Sequence, residues 1–406
     1  MRILYFTQFY SPENIAAAFR ASEHARIWAE AGHNITVFTG WPNYPIGHLF
    51  SGYEMVQLGE ETVDGVRIFR SASAIRSNKT FADRIRGGMS FVINGWRNCV
   101  KKSSPIGTNY DVVLTTSGTV FAGWLGARYA RHNHIPLVVE FRDLTWRQMV
   151  ATGGIEKDPK VKLMKLLELN LCAKADRVVT LTEGFCRELI DNGVSKEIIA
   201  IVPNGADIVP CIHDWSGKLK LGYFGTMGIS QDVVRTLKLS ADLFRNGFLE
   251  KYTLIGEGAA RPLVESALAS GDYSFVSLKH GVPKDELEPQ YGNVHMTVVS
   301  LQRTDNFAET IPSKIFQSFA RGTPVLFIGP EGEAARLIRE SGGGLALCGS
   351  DSDCISALCK FVQSDDLLKQ LSDMSNRAIQ FMERNYTRHI QAKRMLKVLK
   401  EAARHF

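Results

Sequence analysis

Ten short apolar runs punctuate the chain: ILYFT, ITVFT, VVLTT, PLVVEF, RVVTLT, AIVPN, KLGYFG, YTLIG, VHMTVVS and PVLFIG. Helical periodicity fills most of the intervals between them. Strands that alternate with helices in this way have to pair in parallel, because each helix carries the chain back to the starting edge of the sheet. The pattern therefore predicts α/β, doubly wound architecture. It occurs twice. The first series ends near Asn204-Gly205 and the second opens near Lys218, and the intervening ADIVPCIHDWSG breaks both periods at Pro210 and Gly217. A chain of 406 residues is also too long for one core. The expected organisation is a first Rossmann-like domain over 1–207, a linker over 208–217, a second over 218–380, and a basic C-terminal helix over 381–406 that packs back on the first. The first helix should run from about Ala16 to Glu30 and stop at Gly32.

Composition narrows the function classes. A net charge of +6 is small for this length, and no recognition motif or long basic stripe is visible, which argues against nucleic acid. The seven cysteines form no CxxC pair and no ligand spacing with histidine, so neither structural zinc nor a disulfide framework is expected and a reducing cytosol fits. MRILYFTQFYSP is too short in its apolar stretch for a signal peptide and reads as a buried strand. No apolar run reaches the roughly 18 residues of a membrane span, so membrane contact should be peripheral.

One segment is strongly cationic. Between Ile75 and Lys102 stand seven basic residues (Arg76, Lys79, Arg84, Arg86, Arg97, Lys101, Lys102) against one acid, Asp83. Phe81, Ile85, Met89, Val92, Trp96 and Val100 are interleaved at helical spacing. Two readings fit: a helix packed on its own domain with a solvated charged face, or a helix lying against an anionic membrane surface.

Three loops follow strands of the second domain, where doubly wound sheets bind ligands. GYFGTMGISQDV carries Gly225 and Gly228; LIGEGAARP carries Gly256, Glu257 and Gly258, half of a dinucleotide fingerprint with Arg261 where a third glycine would stand. In the third, AETIPSKIFQSFARGTPVLF, Glu309 precedes Pro312-Ser313-Lys314 at a helix start, and a lysine beside free backbone N–H groups makes an anion site. Asp351-Ser352-Asp353 matches a metal-diphosphate motif of a different fold, but it opens a helical run and reads as an N-cap.

The run from Glu309 to Val325 resembles the nucleotide-sugar site of the family-4 retaining glycosyltransferases of the GT-B fold: a Glu, a second polar position eight residues on at Gln317, and the tail Ala320-Arg321-Gly322-Thr323-Pro324-Val325. AKADRVVTLT at 173–182, preceded by Glu168, IVPNGAD at 201–207, Tyr223-Phe224-Gly225 and LIGEG at 254–258 follow in the family's order. The Pro-Ser-Lys variant and EFRDLTW at 140–146 are similar to the subgroup that adds amino sugars such as N-acetylfucosamine during O-antigen or capsule assembly.

The resemblance implies two Rossmann-like domains facing each other across a cleft, and a UDP-sugar donor. It implies transfer of an N-acetylated amino sugar, with retention, to an undecaprenyl-diphosphate-linked saccharide. Bound metal and cofactor would be unnecessary, and the protein would work at the cytoplasmic face of a bacterial inner membrane, held there through 75–102. Residue by residue, Glu309 would face the donor sugar and Asp143 the reacting hydroxyl, as the catalytic pair. Lys314, Ser313, Thr226 and Gly225 would hold the diphosphate; Gln317, Gly256 and Glu257 the ribose and nucleotide; Asn14, Arg20 and Arg142 the acceptor side. The chain departs from the pattern at Gln317, usually a carboxylate; at Thr226 and Gln231, near the places of a diphosphate-holding Arg and Lys; at Phe141-Arg142-Asp143, where a histidine is usual; and at 10–14, where a glycine pair is usual. Two alternatives stay open: a UDP-sugar 2-epimerase of the same fold, which would bind the same donor, and a non-catalytic nucleotide-sugar-binding protein, which the departures suggest.

Overall fold

Each of the ten apolar runs forms a strand, and the strands assemble into two sheets in a computed structural model that describes residues 1–13, 15–44, 47–75, 81–101, 103–117, 120–151 and 154–404. The chain divides into two compact units: residues 1–150, 154–203 and 388–406, and residues 151–153 and 204–387.

In the first unit the order is β1 (Arg2–Phe6), α1 (Ala16–Glu30), β2 (Asn34–Gly40), β3 (Leu58–Val63), β4 (Val66–Ser71), α2 (Phe81–Val100), β5 (Val112–Thr116), α3 (Val120–Asn133), β6 (Leu137–Phe141), α4 (Thr145–Ala151), α5 (Pro159–Cys172), β7 (Arg177–Thr180), α6 (Glu183–Asp191) and β8 (Ile199–Ile201). The sheet order is β3-β4-β2-β1-β5-β6-β7-β8, parallel except for the β3–β4 hairpin. Because successive side chains alternate faces, β1 sends Leu4 and Phe6 into one core layer and Ile3 and Tyr5 into another. Strand order reverses between β1 and β5, which places a crevice at their carboxyl ends.

The second unit runs β9 (Leu219–Phe224), α7 (Val233–Arg245), β10 (Leu249–Ile255), α8 (Arg261–Ser270), β11 (Val276–Lys279), α9 (Lys284–Gly292), β12 (Met296–Ser300), α10 (Ser313–Phe319), β13 (Val325–Ile328), α11 (Glu333–Ser341), β14 (Gly344–Leu347), α12 (Asp351–Val362) and α13 (Leu367–Asn385). Its sheet is wholly parallel, β11-β10-β9-β12-β13-β14, with the reversal between β9 and β12. α14 (Arg388–Arg404) then rejoins the first unit, burying Ala392, Met395, Leu399 and Ala402 in the same layer as Ile3 and Tyr5 and accepting the Trp28 indole N–H at the Ala392 carbonyl, 2.8 Å.

The unit boundaries differ from the sequence expectation at two places. The segment read as a linker is strapped to the second unit: Val209 N–H donates to the Ala320 carbonyl at 2.9 Å and Cys211 N–H to that of Arg321 at 3.0 Å. The return to the first unit begins at Arg388, not at 381, since α13 belongs to the second unit throughout.

The cationic helix also differs. α2 packs chiefly through Gly88, Phe91, Gly95, Asn98 and Cys99, all buried, and of the expected stripe Val92 and Trp96 stay half-buried, Trp96 against the core. A Cβ on Gly88 would lie 2.1 Å from Phe121 Cδ2, so the helices approach too closely there for any larger residue. That close contact turns Ile85, Met89, Ile93 and Val100 outward, at 39%, 39%, 47% and 40% exposure. Arg84, Arg86, Arg97 and Lys101 are exposed as well. Arg76, Lys79 and Lys102 lie outside the described residues.

Candidate functional site

The reversal between β9 and β12 brings three loops together in the second unit. After β9, Gly225 adopts φ +107° and its N–H donates to the Ile255 carbonyl at 2.8 Å; Met227 N–H donates to the Glu257 carbonyl at 2.7 Å. These bonds stitch the first two loops edge to edge. Gly256 makes the stitching possible, because a Cβ there would stand 1.9 Å from the Gly225 carbonyl oxygen. The sequence placed Gly256 against the nucleotide; the structure gives it this packing task.

The third loop delivers Lys314. Its Nζ donates to Tyr223 Oη at 2.6 Å and to the Thr226 carbonyl at 2.9 Å, and it sits 3.8 Å from the Tyr223 ring centroid. Tyr223 Oη in turn donates to the Thr226 carbonyl at 2.6 Å. The half-buried side chain thus ends in a hollow floored by an aromatic ring, and loss of hydration lowers the ammonium pKa to about 7. Gly225 suits this place because its φ of +107° disfavours any side chain, and a Cβ there would also crowd Lys314 Cε at 3.3 Å. Lys314, Gly225 and Thr226 are therefore one cluster. Pro312 is the N-cap of α10, and no side chain caps it; Ser313 is the first helical residue. Glu309 is half-buried five residues upstream of Lys314, in the loop after β12.

Two nucleotide-side residues are already engaged. Glu257 Oε1 meets His280 Nδ1 at 2.7 Å and accepts the Gly281 N–H at 3.2 Å, which together hold its exposed carboxyl below the ordinary range. Gln317 Oε1 accepts from Arg321 Nη1 at 3.0 Å. Tyr223 and Arg321 stand in the sequence motifs without an assigned role, and His280 is not singled out there. Arg321 had a legible signal, standing four residues after Gln317 in a helical register.

In the first unit, Asp143 follows β6. Burial pushes its carboxyl up to about 6 against the opposing pull of Arg142 and a hydrogen bond with Gln148. Arg142 is pushed below its ordinary value, chiefly by burial and against Glu140. Arg20, expected on the acceptor side, is spent inside the fold. It pairs with buried Glu140 at 2.8 Å and donates to the carbonyls of Val202 and Pro203 at 2.9 and 2.8 Å. Asn14 lies outside the described residues.

The Asp351-Ser352-Asp353 motif serves its helix, with a shift of one residue. Ser350 is the N-cap of α12 and Asp353 completes a capping box with it, while Asp351 pairs with Arg235 at 2.7 Å and with Arg303.

Residues 16–205 match the Glycosyl transferase 4-like domain. No curated protein matches the chain. Among solved structures, a sucrose-phosphate synthase from Thermosynechococcus elongatus superposes with a TM-score of 0.77 at 13% identity, covering all of both chains. WaaG, a glycosyltransferase involved in lipopolysaccharide biosynthesis, gives 0.66 at 14% identity over 96% of this chain and 98% of its own. Anabaena HepE in complex with UDP-glucose gives 0.65 at 13% identity over 100% and 99%. At such identities the likeness is one of fold, and the fold is GT-B: two α/β units with parallel, Rossmann-like cores.

Proposed function

We propose that this glycosyltransferase moves an N-acetylated amino sugar from a UDP-sugar to an undecaprenyl-diphosphate-linked saccharide, with retention of anomeric configuration. The observation that carries the reading is the Lys314 ammonium, held between Tyr223 Oη and the Thr226 carbonyl at the strand-order reversal of the second sheet. Negative charge grows on a leaving diphosphate during sugar transfer, and a cation fixed in advance in a poorly hydrated hollow stabilises that charge without reorganising. Neighbours on the same fold with bound UDP and UDP-glucose support a nucleotide-sugar donor.

In this mechanism the bond between the anomeric carbon and the diphosphate oxygen breaks as the acceptor oxygen bonds to the same face. The acceptor proton passes to the departing diphosphate. Lys314, with Ser313 and Thr226 beside it, holds the diphosphate; Glu309 holds sugar hydroxyls and the positive ring; Gln317 lies along the ribose. The first unit takes the acceptor, with Asp143 positioning it by accepting from a hydroxyl beside the reacting one and Arg142 near the acceptor's phosphate. No metal is needed in this scheme, and the two carboxylates of the Asp351-Ser352-Asp353 motif are committed to a cap and to arginines.

The acceptor class gives α2 a purpose. Its outward Ile85, Met89, Ile93 and Val100 stand with Arg86, Arg97 and Lys101 on an exposed face, a composition suited to the cytoplasmic surface of an anionic membrane. No described helix is long and apolar enough to cross a membrane. The test is thermal stabilisation and nucleotide release across UDP-, GDP- and dTDP-sugars, with bacterial membranes as acceptor source. Stabilisation by a UDP-amino sugar, with UDP released only when membranes are added and both effects lost in Lys314→Ala, is the expected result. Failure of every nucleotide sugar to stabilise the protein overturns the reading.

A further inference from the structure

Arg321, just past the end of α10, is only 5% exposed, and both of its terminal nitrogens are engaged. Nη1 donates to both the backbone carbonyl and Oε1 of Gln317, each at 3.0 Å, and Nη2 donates to Glu288 Oε1 at 3.0 Å. Its Cζ lies 4.7 Å from the Tyr291 ring centroid. A guanidinium has donors and no acceptor, so the Gln317 amide has to turn its oxygen toward Arg321 and its NH2 away. Chemistry alone fixes that orientation. Glu288 also lies 3.6 Å from Lys284 Nζ, so one carboxylate is shared by two bases and Arg321 keeps charge to spare for the Gln317 oxygen.

Lys314 and Gln317 are three residues apart on one helix, which puts their Cβ atoms roughly 5–6 Å from each other on the same face. If Lys314 meets the diphosphate, as proposed above, Gln317 meets the sugar ring joined to it. A carboxylate at 317 would accept from both hydroxyls of a ribose, and a nucleotide lacking the 2′-hydroxyl would leave a buried acceptor unpaired. That penalty is what makes a hydrogen-bonding site selective. Gln317 has its oxygen committed to Arg321 and offers N–H groups, which a single hydroxyl oxygen or a water satisfies.

We infer that the site does not select ribose over 2′-deoxyribose, so that its donor class extends to sugars carried on 2′-deoxyribonucleoside diphosphates, and that Arg321 is the positioning residue responsible. The inference rests on the nucleotide-sugar reading of the same site.

The experiment is calorimetric binding of UDP and 2′-deoxy-UDP to the full chain and to Gln317→Glu, Arg321→Met and Arg321→Lys. In the wild type the two dissociation constants should agree within about threefold, and in Gln317→Glu the ratio should rise to about tenfold or more in favour of UDP as a carboxylate oxygen becomes available to the 2′-hydroxyl. Arg321→Met frees the amide to rotate and should move the ratio the same way. Arg321→Lys, which keeps a donor and a charge beside Glu288, should restore the wild-type ratio and separates lost positioning from lost folding. A wild-type ratio of about tenfold or more, or a ratio unmoved by Gln317→Glu, overturns the inference while leaving the nucleotide-sugar reading standing. If neither nucleotide binds, both fall together.

Discussion

Glu168, on α5, accepts the backbone N–H of Thr145 at 3.0 Å and the Thr145 hydroxyl at 2.6 Å, so a carboxyl group from one helix caps the start of another. The cap holds α4 directly behind Asp143. Glu168 is fully buried, and desolvation outweighs these hydrogen bonds, raising its pKa to about 8. A folded-state pKa above the unfolded 4.5 means that the folded protein keeps this proton more firmly. The associated stability is complete below about pH 4.5 and is lost as pH rises through about 8. Relative to Glu168→Gln, the wild type should therefore lose melting temperature steadily across that window. Parallel melting curves of the two proteins throughout it would refute the assignment.

Lys314 titrates in the opposite sense for ligand binding. With its pKa lowered to about 7, the unliganded ammonium is half lost at neutral pH, and a diphosphate binds the charged form. UDP affinity should fall as pH rises above about 7, approaching tenfold per unit, and Lys314→Met should bind weakly with no such slope. Calorimetry between pH 6 and about 9 decides the point.

Asp143 has to be ionised to accept from a hydroxyl. Its pKa of about 6 places an acid limb near that pH in kcat/KM, and Asp143→Asn should abolish the limb while lowering turnover by about 10²-fold. An acid limb that persists in Asp143→Asn assigns the titration to another group.

Much of the fold is legible in the string and part of it is not, for identifiable reasons. Nine of the ten strands declare themselves because parallel strands largely covered on both faces are nearly continuously apolar, and β8, a half-buried edge strand, does so through its isoleucines. β11 and β14, both at sheet edges, are half-exposed or glycine-rich and carry no such signal. The β3–β4 hairpin was readable: Asp64-Gly65, both at positive φ (51° and 74°), is the strongest short hairpin signal known, flanked by TV and VRI. In α2 the helical period was right and the buried face was not. Periodicity finds the bulky stripe, while the contact that decides the packing is made by glycines. At the site, Lys314 was legible from its place at a helix start, but its ring floor in Tyr223 and the hold of Arg321 on Gln317 depend on pairs far apart or turned by rotamers.

Gly256→Ala should damage binding without touching a ligand. Its new Cβ would fall 1.9 Å from the Gly225 carbonyl oxygen, a backbone atom that cannot swing aside, so the two loops must separate. We expect a loss of about 1–3 kcal/mol in urea unfolding together with weaker UDP binding. Unchanged values for both would show that the loops have slack the structure does not indicate.

The outward face of α2 should govern recovery on vesicles. Replacing Arg86, Arg97 and Lys101 by Ser removes about 1 kcal/mol each of attraction to an anionic surface, and should release the protein from phosphatidylserine vesicles at physiological salt. Ile93→Ser, at 47% exposure, should weaken sedimentation with little effect on stability. Equal sedimentation of wild type and the triple variant ends the membrane proposal.

Apart from residues 151–153, the second unit is a single stretch, 204–387, whereas the first needs α14 to complete the layer around Ile3, Tyr5 and Trp28. A ribosome working from the amino end therefore releases a first half in which α1 alone, through Ala21, Ala25 and Trp28, covers a sheet face that α14 later shares. The later half, by contrast, has every part of itself in hand before translation ends. Order of synthesis and order of completion run in opposite directions, and for the time it takes to make nearly two hundred residues the nascent first sheet depends on chaperones, or on its own slow collapse, for protection.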